Sequence, residues 1–142
     1  MTWELILVSK PNFAETRSLV ELYQNRLRHT LKFEEKFFKD EARLRAHLEK
    51  KPGVTILLDE RGKSIDSKGL AQKIQRWREG GHETVRFCVG NAYGFSEDSR
   101  KSADWLWKLS DLTLPGDFAW LLLWEQVFRA FSILNKTGYH HD

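Results

Sequence analysis

The sequence predicts an α/β fold with a mainly parallel sheet. Segments with strand character alternate along the chain with segments whose apolar residues recur at helical spacing, which is typical of βαβ units. The clearest strand, residues 54–59, is an unbroken apolar run, as expected for a parallel strand that is covered on both faces. A length of 142 residues predicts a single domain over residues 1–142.

The strands are predicted from apolar runs that end at turn residues. Residues 31–38 alternate less regularly than the others, which favours an edge strand. Gly62 predicts a turn after the third strand, and the fourth strand ends in a loop rich in turn residues, Gly90 to Gly94. The predicted strands cover residues 3–8, 31–38, 54–59, 84–89 and 105–109.

The helices are predicted from helical spacing and from capping residues. Asn12 is the expected N-cap of the first helix and Ser96 that of the fourth. The third contains Leu70, Ile74 and Trp77 and ends at Gly80-Gly81, a C-cap signal. The other predicted helices cover residues 13–29, 40–50, 96–103 and 118–134.

The composition excludes several classes of protein. Nine Phe, six Trp and three Tyr provide the apolar mass that disordered chains lack. The single cysteine, Cys88, cannot form an internal disulfide, which predicts a reducing compartment such as the cytoplasm, and its apolar strand predicts an inert thiol. No apolar run is long enough to span a membrane. The net charge of +3 permits a nucleic-acid partner without requiring one.

The last predicted helix carries a separate prediction. Every residue from Phe118 to Trp124 is apolar, and a helix that is apolar all round must be covered on all sides. The sheet of a small domain covers one face only, so we expect a second copy of the chain to cover the other and form a homodimer. The alternative is a central core helix in a monomer.

In a parallel sheet, ligands bind beyond the carboxyl ends of the strands. This rule points to the loops at residues 59–63, 90–95 and 110–116. Gly90-x-x-x-Gly94 is either a nucleotide-binding loop or a plain turn, because it matches neither common phosphate-loop pattern. Similarly, Leu57 to Lys63 is either a ligand loop or a charged turn.

The other titratable residues give weaker signals. The C-terminal Tyr139-His140-His141-Asp142 is either a frayed tail or, less favoured, a metal-binding pair of histidines. His29, His47 and His82 are interpreted as surface residues because they lack suitably spaced partners. No zinc, Ser-His-Asp or paired-carboxylate pattern is present, so no metal site is predicted.

Four segments together resemble the bacterial ribosomal RNA large-subunit methyltransferase H family, small enzymes of the SPOUT class. The family patterns are L-D-x-x-G-K, I-G-G-A-Y-G-F-S, L-S-x-x-T-x and E-Q-x-Y-R-A-x-x-I followed by Y-H. Their order and spacing match nearly the whole chain. The matching segments are Leu58 to Lys63, Val89 to Ser96, Leu109 to Pro115, and Glu125 to Ile133 with Tyr139-His140.

The resemblance implies a parallel sheet whose C-terminal part is threaded into a trefoil knot, an exception to the usual topology, in a homodimer. It also implies that the knot loops bind S-adenosylmethionine, largely through backbone groups. The residues expected at the cofactor are Leu58, Gly90, Leu109, Ser110, Asp111, Leu112, Thr113 and Leu114.

The implied reaction is methylation of N3 of a pseudouridine in the helix-69 stem-loop of 23S rRNA, on the assembled ribosome. The implied partners are the ribosome and a second copy, with neither a membrane nor DNA. Tyr139 and His140 lie near the methyl donor in the family's dimer, which makes them candidates for substrate positioning or proton removal, with their separate roles left open. Basic residues of the first third, Lys10, Arg17, Arg26 and Arg28, either bind phosphates or form a solvated face.

This sequence departs from the family at several positions. Ser9-Lys10 stands where the family has Gly-Lys, and Asn91 stands where it has the second loop glycine. Gly116, Trp120 and His141 replace residues that tend to be His, Arg, and Arg or Lys. The loss of cationic groups leaves a second interpretation open: a non-catalytic or altered-specificity RNA- or ribosome-binding relative.

Overall fold

The computed structural model describes residues 1–141. Asp142, the last residue of the titratable tail, lies outside the described residues. Strands and helices alternate along the described chain. The strands are β1 (Thr2–Val8), β2 (Phe33–Phe38), β3 (Val54–Lys63), β4 (Thr84–Val89) and β5 (Trp105–Trp107). The helices are α1 (Ala14–Leu27), α2 (Glu41–Lys50), α3 (Ser67–Glu79), α4 (Glu97–Ser102) and α5 (Gly116–Leu134).

The sheet confirms the predicted fold class. Its strands are arranged in the order β2-β1-β4-β3-β5, and every neighbouring pair is parallel. The strand formed by residues 33–38 lies at an edge, as its irregular alternation predicts. Because all strands are parallel, their carboxyl ends meet at one edge of the sheet, where the predicted loops begin.

The two faces of the sheet carry different helices. Leu5 and Leu7 of β1 pack in a large core with residues of α1, α3 and α5. Ile6 and Val8, which alternate with them, pack in a smaller core with Leu44 of α2. This alternation is the ordinary two-residue period of a strand, and it buries β1 on both sides.

The third strand is longer than predicted. Beyond Leu58, the chain bulges and returns to the sheet at Lys63, which pairs with Trp107, the same residue that pairs with Leu58. Gly62 lies against the neighbouring strand, and a Cβ atom there would be 2.3 Å from the carbonyl oxygen of Leu106. The glycine is therefore needed for close backbone approach as well as for a turn.

One predicted cap is confirmed and another is wrong. The Ser96 side chain accepts a hydrogen bond from the Ser99 amide and caps α4. At α1, however, the N-cap is Phe13, with no side-chain capping bond from the residue itself. The start of α1 is instead bound by Asp117, a residue distant in sequence, as described below.

Helix α5 is covered on one face only within the single chain. Trp120, Leu123 and Trp124 are buried in the larger core, whereas Phe118 is 49% exposed and Leu122 is 37% exposed. The apolar character on all sides of this helix therefore leaves an open apolar strip, and the homodimer stays a prediction. Among residues 1–141, no helix combines the length and the hydropathy needed to cross a membrane.

Candidate functional site

A cavity of about 810 Å³ lies at the carboxyl edge of the sheet. Its walls come mainly from three segments: residues 58–61 in the bulged part of β3, residues 89–95 at and after the end of β4, and residues 108–114 after β5. These overlap the loops that the parallel-sheet rule predicts. The volume is within the range of roughly 300–1,000 Å³ that is usual for small-molecule and cofactor sites.

The structure brings together around this cavity all the residues that the family resemblance assigns to the cofactor. They come from three separate segments of the chain. The residues are Leu58, Gly90, Leu109, Ser110, Asp111, Leu112, Thr113 and Leu114.

The first two loops are tied to each other by Arg100. The backbone amide of Arg61 donates to Asp59 Oδ1 at 2.8 Å, which closes a turn at the end of the apolar part of β3. The other oxygen of Asp59 lies 3.5 Å from the Arg100 guanidinium, which also donates to the carbonyl oxygen of Phe95. One cation therefore holds the bulge of β3 against the loop after β4.

The loop after β4 is a tight turn built around Asn91. The amide of Gly94 donates to the Asn91 carbonyl oxygen at 2.9 Å, and the amide of Tyr93 donates to Asn91 Oδ1, also at 2.9 Å. Gly94 has φ of +73°, a conformation that favours glycine. The Asn91 side chain, which replaces a glycine of the family pattern, therefore stabilises the turn.

The loop after β5 is also held by a hydrogen bond from a backbone amide to a side chain two residues earlier. The amide of Leu112 donates to Ser110 Oγ at 2.9 Å. Asp111 forms an ion pair with Lys108 at 2.5 Å, and the hydrogen bond from Lys108 lowers the pKa of the Asp111 carboxyl.

Asp117, at the start of α5, also lines the cavity, in a role that no sequence pattern predicts. Its carboxylate is 4% exposed. It accepts hydrogen bonds from the backbone amides of Asn12 and Phe13, each at 2.9 Å, and from the Thr16 hydroxyl at 2.7 Å. Burial by itself raises the pKa of Asp117, but these hydrogen bonds outweigh burial and hold it below its usual value. An acid one residue into a helix gives no sequence signal for a partner this distant.

The predicted catalytic pair lies elsewhere. Neither Tyr139 nor His140 lines the cavity. The Tyr139 ring packs edge-on against Phe128 at 4.6 Å, beside the Arg129 guanidinium, and Arg129 Nη1 is 3.1 Å from His140 Nδ1. The Tyr23 hydroxyl donates a hydrogen bond to Tyr139, and this bond, with burial as the next cause, raises the pKa of Tyr23 to about 12. Residues 139 and 140 are therefore packed against α5 and α1, in contrast to a frayed tail.

The helix separates this pair from the cavity. Gly116 and Asp117 at the beginning of α5 line the cavity, whereas Tyr139 contacts α5 near its other end. The eleven steps along the helix from Asp117 to Phe128 span about 17 Å at 1.5 Å per residue. Within one chain, the candidate cofactor residues and the candidate catalytic pair form two distinct groups.

The positions at which the sequence departs from the family pattern lie in different parts of the structure. Ser9 has φ of 152°, in the region that favours the glycine that the family has there. Gly116 lines the cavity without a side chain, whereas Trp120 is buried in the core against Phe37 and Trp124. At position 120 the structure has core packing where the family has a cation.

The four basic residues that were considered as phosphate contacts do not lie together in the structure. Lys10 lines the cavity. Arg26 lies over the rings of Tyr23 and Phe128, and Arg28 lies over Phe33. Only Lys10 of this set is therefore positioned at the cavity.

A second charged cluster lies away from the cavity. Glu4 and Arg86 are both buried and paired at 3.0 Å, and His47 Nε2 lies 2.9 Å from the same Glu4 oxygen. The interpretation of His47 as an unpartnered surface residue is therefore wrong. Among residues 1–141, no group of three or more His, Cys, Asp or Glu is arranged to hold a metal ion.

The fold and the cavity define a class of protein: a parallel α/β domain with a ligand-sized cavity that is built by the bulge of β3 and by the loops after β4 and β5. Comparison with known families identifies the class more closely. The sequence model of a family described as predicted SPOUT methyltransferase matches residues 1–140. The chain belongs to this family.

Curated relatives carry the family resemblance over the full length. The chain is 32% identical over 156 aligned positions to the ribosomal RNA large subunit methyltransferase H of Christiangramia forsetii, covering 99% of both chains. It is 33% identical over 154 positions to the protein of the same name from Citrifermentans bemidjiense, covering both completely.

A solved structure shows the same fold at low sequence identity. A probable methylase family protein from Haemophilus influenzae superposes with a TM-score of 0.60 at 8% identity. The match covers 99% of this chain and 70% of that one.

Proposed function

We propose that this chain is an S-adenosylmethionine-dependent methyltransferase. Its proposed substrate is N3 of a pseudouridine in the helix-69 stem-loop of 23S rRNA, in the assembled ribosome of the cytoplasm. The observation that carries the proposal is the convergence of Leu58, Gly90 and residues 109–114 on one cavity. The names of the full-length relatives, which are ribosomal RNA methyltransferases, support the choice of substrate. We treat residues 1–142 as one catalytic domain.

The cavity is compatible with S-adenosylmethionine. Its size suits a cofactor of this class, and its walls include the backbone of three loops, whose N–H and C=O groups can bind the adenine edge. At Gly90, a Cβ atom would lie 3.2 Å from the Phe95 ring, so the glycine lets this loop pack closely on Phe95 while its main chain lines the cavity. Leu58 and Leu109 add apolar contacts.

The proposed chemistry is displacement at a methyl carbon. When bound, S-adenosylmethionine supplies an electrophilic methyl group, so the protein has two remaining tasks. It must hold the attacking N3 in line with the methyl carbon, and it must assist the loss of the N3 proton. Tyr139 and His140 are the proposed residues for these tasks.

Because Tyr139 and His140 do not line the cavity of their own chain, the proposal requires a homodimer. A partner packed on the apolar strip of Phe118 and Leu122 would cover side chains that are open in the single chain. We propose that the C-terminal pair of one chain completes the site of the other. The composite site explains why the two groups of candidate residues are separated.

The trefoil knot is part of the same proposal. The chain leaves β5 at one edge of the sheet and begins α5 beside the β1–α1 connection, where Asp117 binds Asn12 and Phe13. Residues 108–115 must therefore cross the positions of β3 and β4. Such a crossing is compatible with a threaded C-terminal segment.

The decisive experiment uses labelled S-adenosylmethionine and 70S particles from a strain that lacks this protein. We expect label in 23S rRNA and a modified base that maps to the proposed pseudouridine. Particles from a strain that contains the protein, already methylated, are the control. Excess cofactor at 100 times its Kd should also stabilise the chain by about 2.7 kcal/mol. If S-adenosylmethionine neither stabilised the chain nor transferred its methyl group to 23S rRNA, the proposal would be overturned.

Two observations favour a second candidate function. Trp120 replaces a family cation with a buried core residue, and Gly116 removes a side chain from the cavity wall. A non-catalytic or altered-specificity RNA-binding relative would associate with ribosomes without methylating the proposed base. It would also be indifferent to Tyr139→Phe and His140→Ala.

A further inference from the structure

Two large apolar side chains stand exposed at the rim of the cavity. Tyr93 is 96% exposed and Leu112 is 76% exposed, and both line the cavity. These are the two highest exposures among the large apolar residues that the structure describes, since none of the others exceeds 54%. They come from different loops, after β4 and after β5.

Both residues lie in turns that are closed by the same kind of hydrogen bond. The backbone amide of Tyr93 donates to the side chain of Asn91, two residues earlier. The backbone amide of Leu112 donates to the side chain of Ser110, also two residues earlier. Each loop is therefore ordered before any ligand arrives, which reduces the conformational entropy that binding costs.

The charges at the rim are largely paired. Arg100 pairs with Asp59, Lys108 pairs with Asp111 and Arg61 pairs with Glu97. The Asp117 carboxylate accepts hydrogen bonds from Asn12, Phe13 and Thr16. Lys10 also lines the cavity, so contacts at this rim depend on the exposed apolar and aromatic surface together with this one lysine. That combination suits an unstacked base, which offers a flat π-face and needs no fixed hydrogen-bond pattern.

We propose that Tyr93 is a stacking platform for an unpaired base of the substrate RNA, and that Leu112 provides an apolar contact beside it. The proposal rests on the proposed function and deepens it by assigning the residues that select single-stranded over paired RNA at the entrance of the cavity. A base must leave its stack before an enzyme can reach its edge, and a prepared aromatic surface compensates part of that loss.

The test compares three substitutions at position 93. Tyr93→Ala removes the ring, Tyr93→Leu keeps apolar volume without a π-face, and Tyr93→Phe keeps the ring. The probe is a fluorescently labelled RNA stem-loop with an unpaired loop, measured beside the same strand closed into a full duplex. Binding is followed by anisotropy at two salt concentrations, and the KM for 70S particles is measured with saturating cofactor.

We expect Tyr93→Ala to weaken stem-loop binding by roughly 5- to 150-fold, the range that stacking of one base on an aromatic ring contributes. Duplex binding should be unchanged. Tyr93→Phe should bind like the natural chain and Tyr93→Leu should resemble Tyr93→Ala. The fold-change should be the same at both salt concentrations, because no charge is removed.

Three results would overturn the stacking proposal. Unchanged stem-loop binding by Tyr93→Ala would show that the ring contacts no base. Dissociation of a dimer by Tyr93→Ala, seen in sedimentation, would assign the ring to a protein interface. A loss of S-adenosylmethionine affinity, seen in calorimetry, would assign it to the cofactor. By contrast, a natural chain that binds the stem-loop through Tyr93 but transfers no methyl group would overturn the proposed function alone.

Discussion

The hydroxyl of Thr16 donates a hydrogen bond to the carboxylate of Asp117 across 2.7 Å, between residues that are 101 positions apart in the sequence. With the amides of Asn12 and Phe13, this bond joins the start of α1 to the start of α5. Asn12 and Asp117 both line the cavity. The contact therefore links the stability of the fold to the shape of the site.

Removing the Thr16 hydroxyl should destabilise the fold. Thr16→Val keeps the shape of the side chain but loses a buried hydrogen bond to a charged group, for which we expect a loss of about 2 kcal/mol. Urea unfolding gives the change in the free energy of unfolding. Ser18→Ala on the same helix is the control, because its exposed hydroxyl bonds only to the carbonyl of Ala14. Equal losses in the two variants would contradict the role of the Thr16–Asp117 contact.

The same carboxylate predicts an acid-dependent loss of stability. The pKa of Asp117 is lower in the folded chain than in an unfolded one. Its contribution is therefore fully present above the unfolded pKa, near 3.9, and is lost as the pH falls through the lower folded value. Unfolding free energies measured from pH 6 to pH 2 should fall less steeply for Asp117→Asn than for the natural chain. Parallel curves would show that Asp117 does not contribute to the acid response.

Breaking the buried ion pair between Glu4 and Arg86 should cost more stability than breaking an ion pair near the surface. Glu4→Gln leaves the Arg86 guanidinium buried without its carboxylate, and we expect a loss of about 3–5 kcal/mol. Glu34→Gln, which breaks a partly exposed pair with Lys36, should change stability by less than about 1 kcal/mol. Thermal unfolding measures both variants.

Cofactor affinity of the still-folded Glu4→Gln chain should be unchanged, since neither Glu4 nor Arg86 lines the cavity. A selective loss of affinity at a temperature where this variant is fully folded would mean that the cluster controls the site.

Gly62 should be intolerant of even a methyl group. An alanine Cβ there would lie 2.3 Å from the carbonyl oxygen of Leu106, so β3 and β5 would have to separate. We expect a loss of at least about 1–3 kcal/mol, the usual cost of overpacking. Gly116→Ala is the matched control, because its Cβ would meet no atom within 4 Å. The comparison is made by urea unfolding, and similar stabilities would refute the steric explanation.

The homodimer can be tested on the apolar strip of α5. Leu122→Glu adds a charge to an exposed apolar position and should produce a monomer in analytical ultracentrifugation. Ala42→Glu, an exposed position on α2 at the other face of the sheet, should not. If the site is composite, the monomeric Leu122→Glu variant should also lose methyl transfer.

A mixing experiment tests the exchange of residues between chains. Gly90→Leu crowds the loop after β4 against Phe95 and should block cofactor binding in one chain, and His140→Ala removes a candidate catalytic side chain from another. Mixed heterodimers contain one site in which both groups are intact, so activity should reappear on mixing. No recovery, although heterodimers are present, would argue against a site shared between chains.

Cys88 should be unreactive in the folded protein. Burial raises the pKa of its thiol to about 12, so almost no thiolate is available at pH 8 and the sulfur is inaccessible to reagents. A thiol reagent should label the chain only after urea unfolds it. Rapid labelling under native conditions would indicate that the strand opens locally.

The sequence predicts much of the fold because its signals are local. The apolar runs of β1, β3 and β4 and the Ser96 cap are short-range features, and all are found close to where they were predicted. The bulge that returns Lys63 to Trp107 has no local signal, because it depends on the neighbouring strand.

In the candidate site, too, some features have a local sequence signal and others depend on residues that are distant in sequence. The parallel-sheet rule locates the loops, since the direction of the strands determines which ends meet. The Asp117 contact and the pairing of His47 with Glu4 join residues distant in sequence, and periodicity carries no information about such pairs. The separation of Tyr139 and His140 from the cavity likewise depends on where α5 lies.

The bond between Asn12 and Asp117 also bears on the order of events during synthesis. One partner is made near the beginning of the chain and the other 105 residues later. Because residues 108–117 form part of the cavity wall, an emerging polypeptide that has produced only its first four strands has no complete pocket. The cavity proposed for the cofactor is therefore complete only after residues 108–117 have been synthesised, and a chain truncated before residue 108 is expected to bind no cofactor.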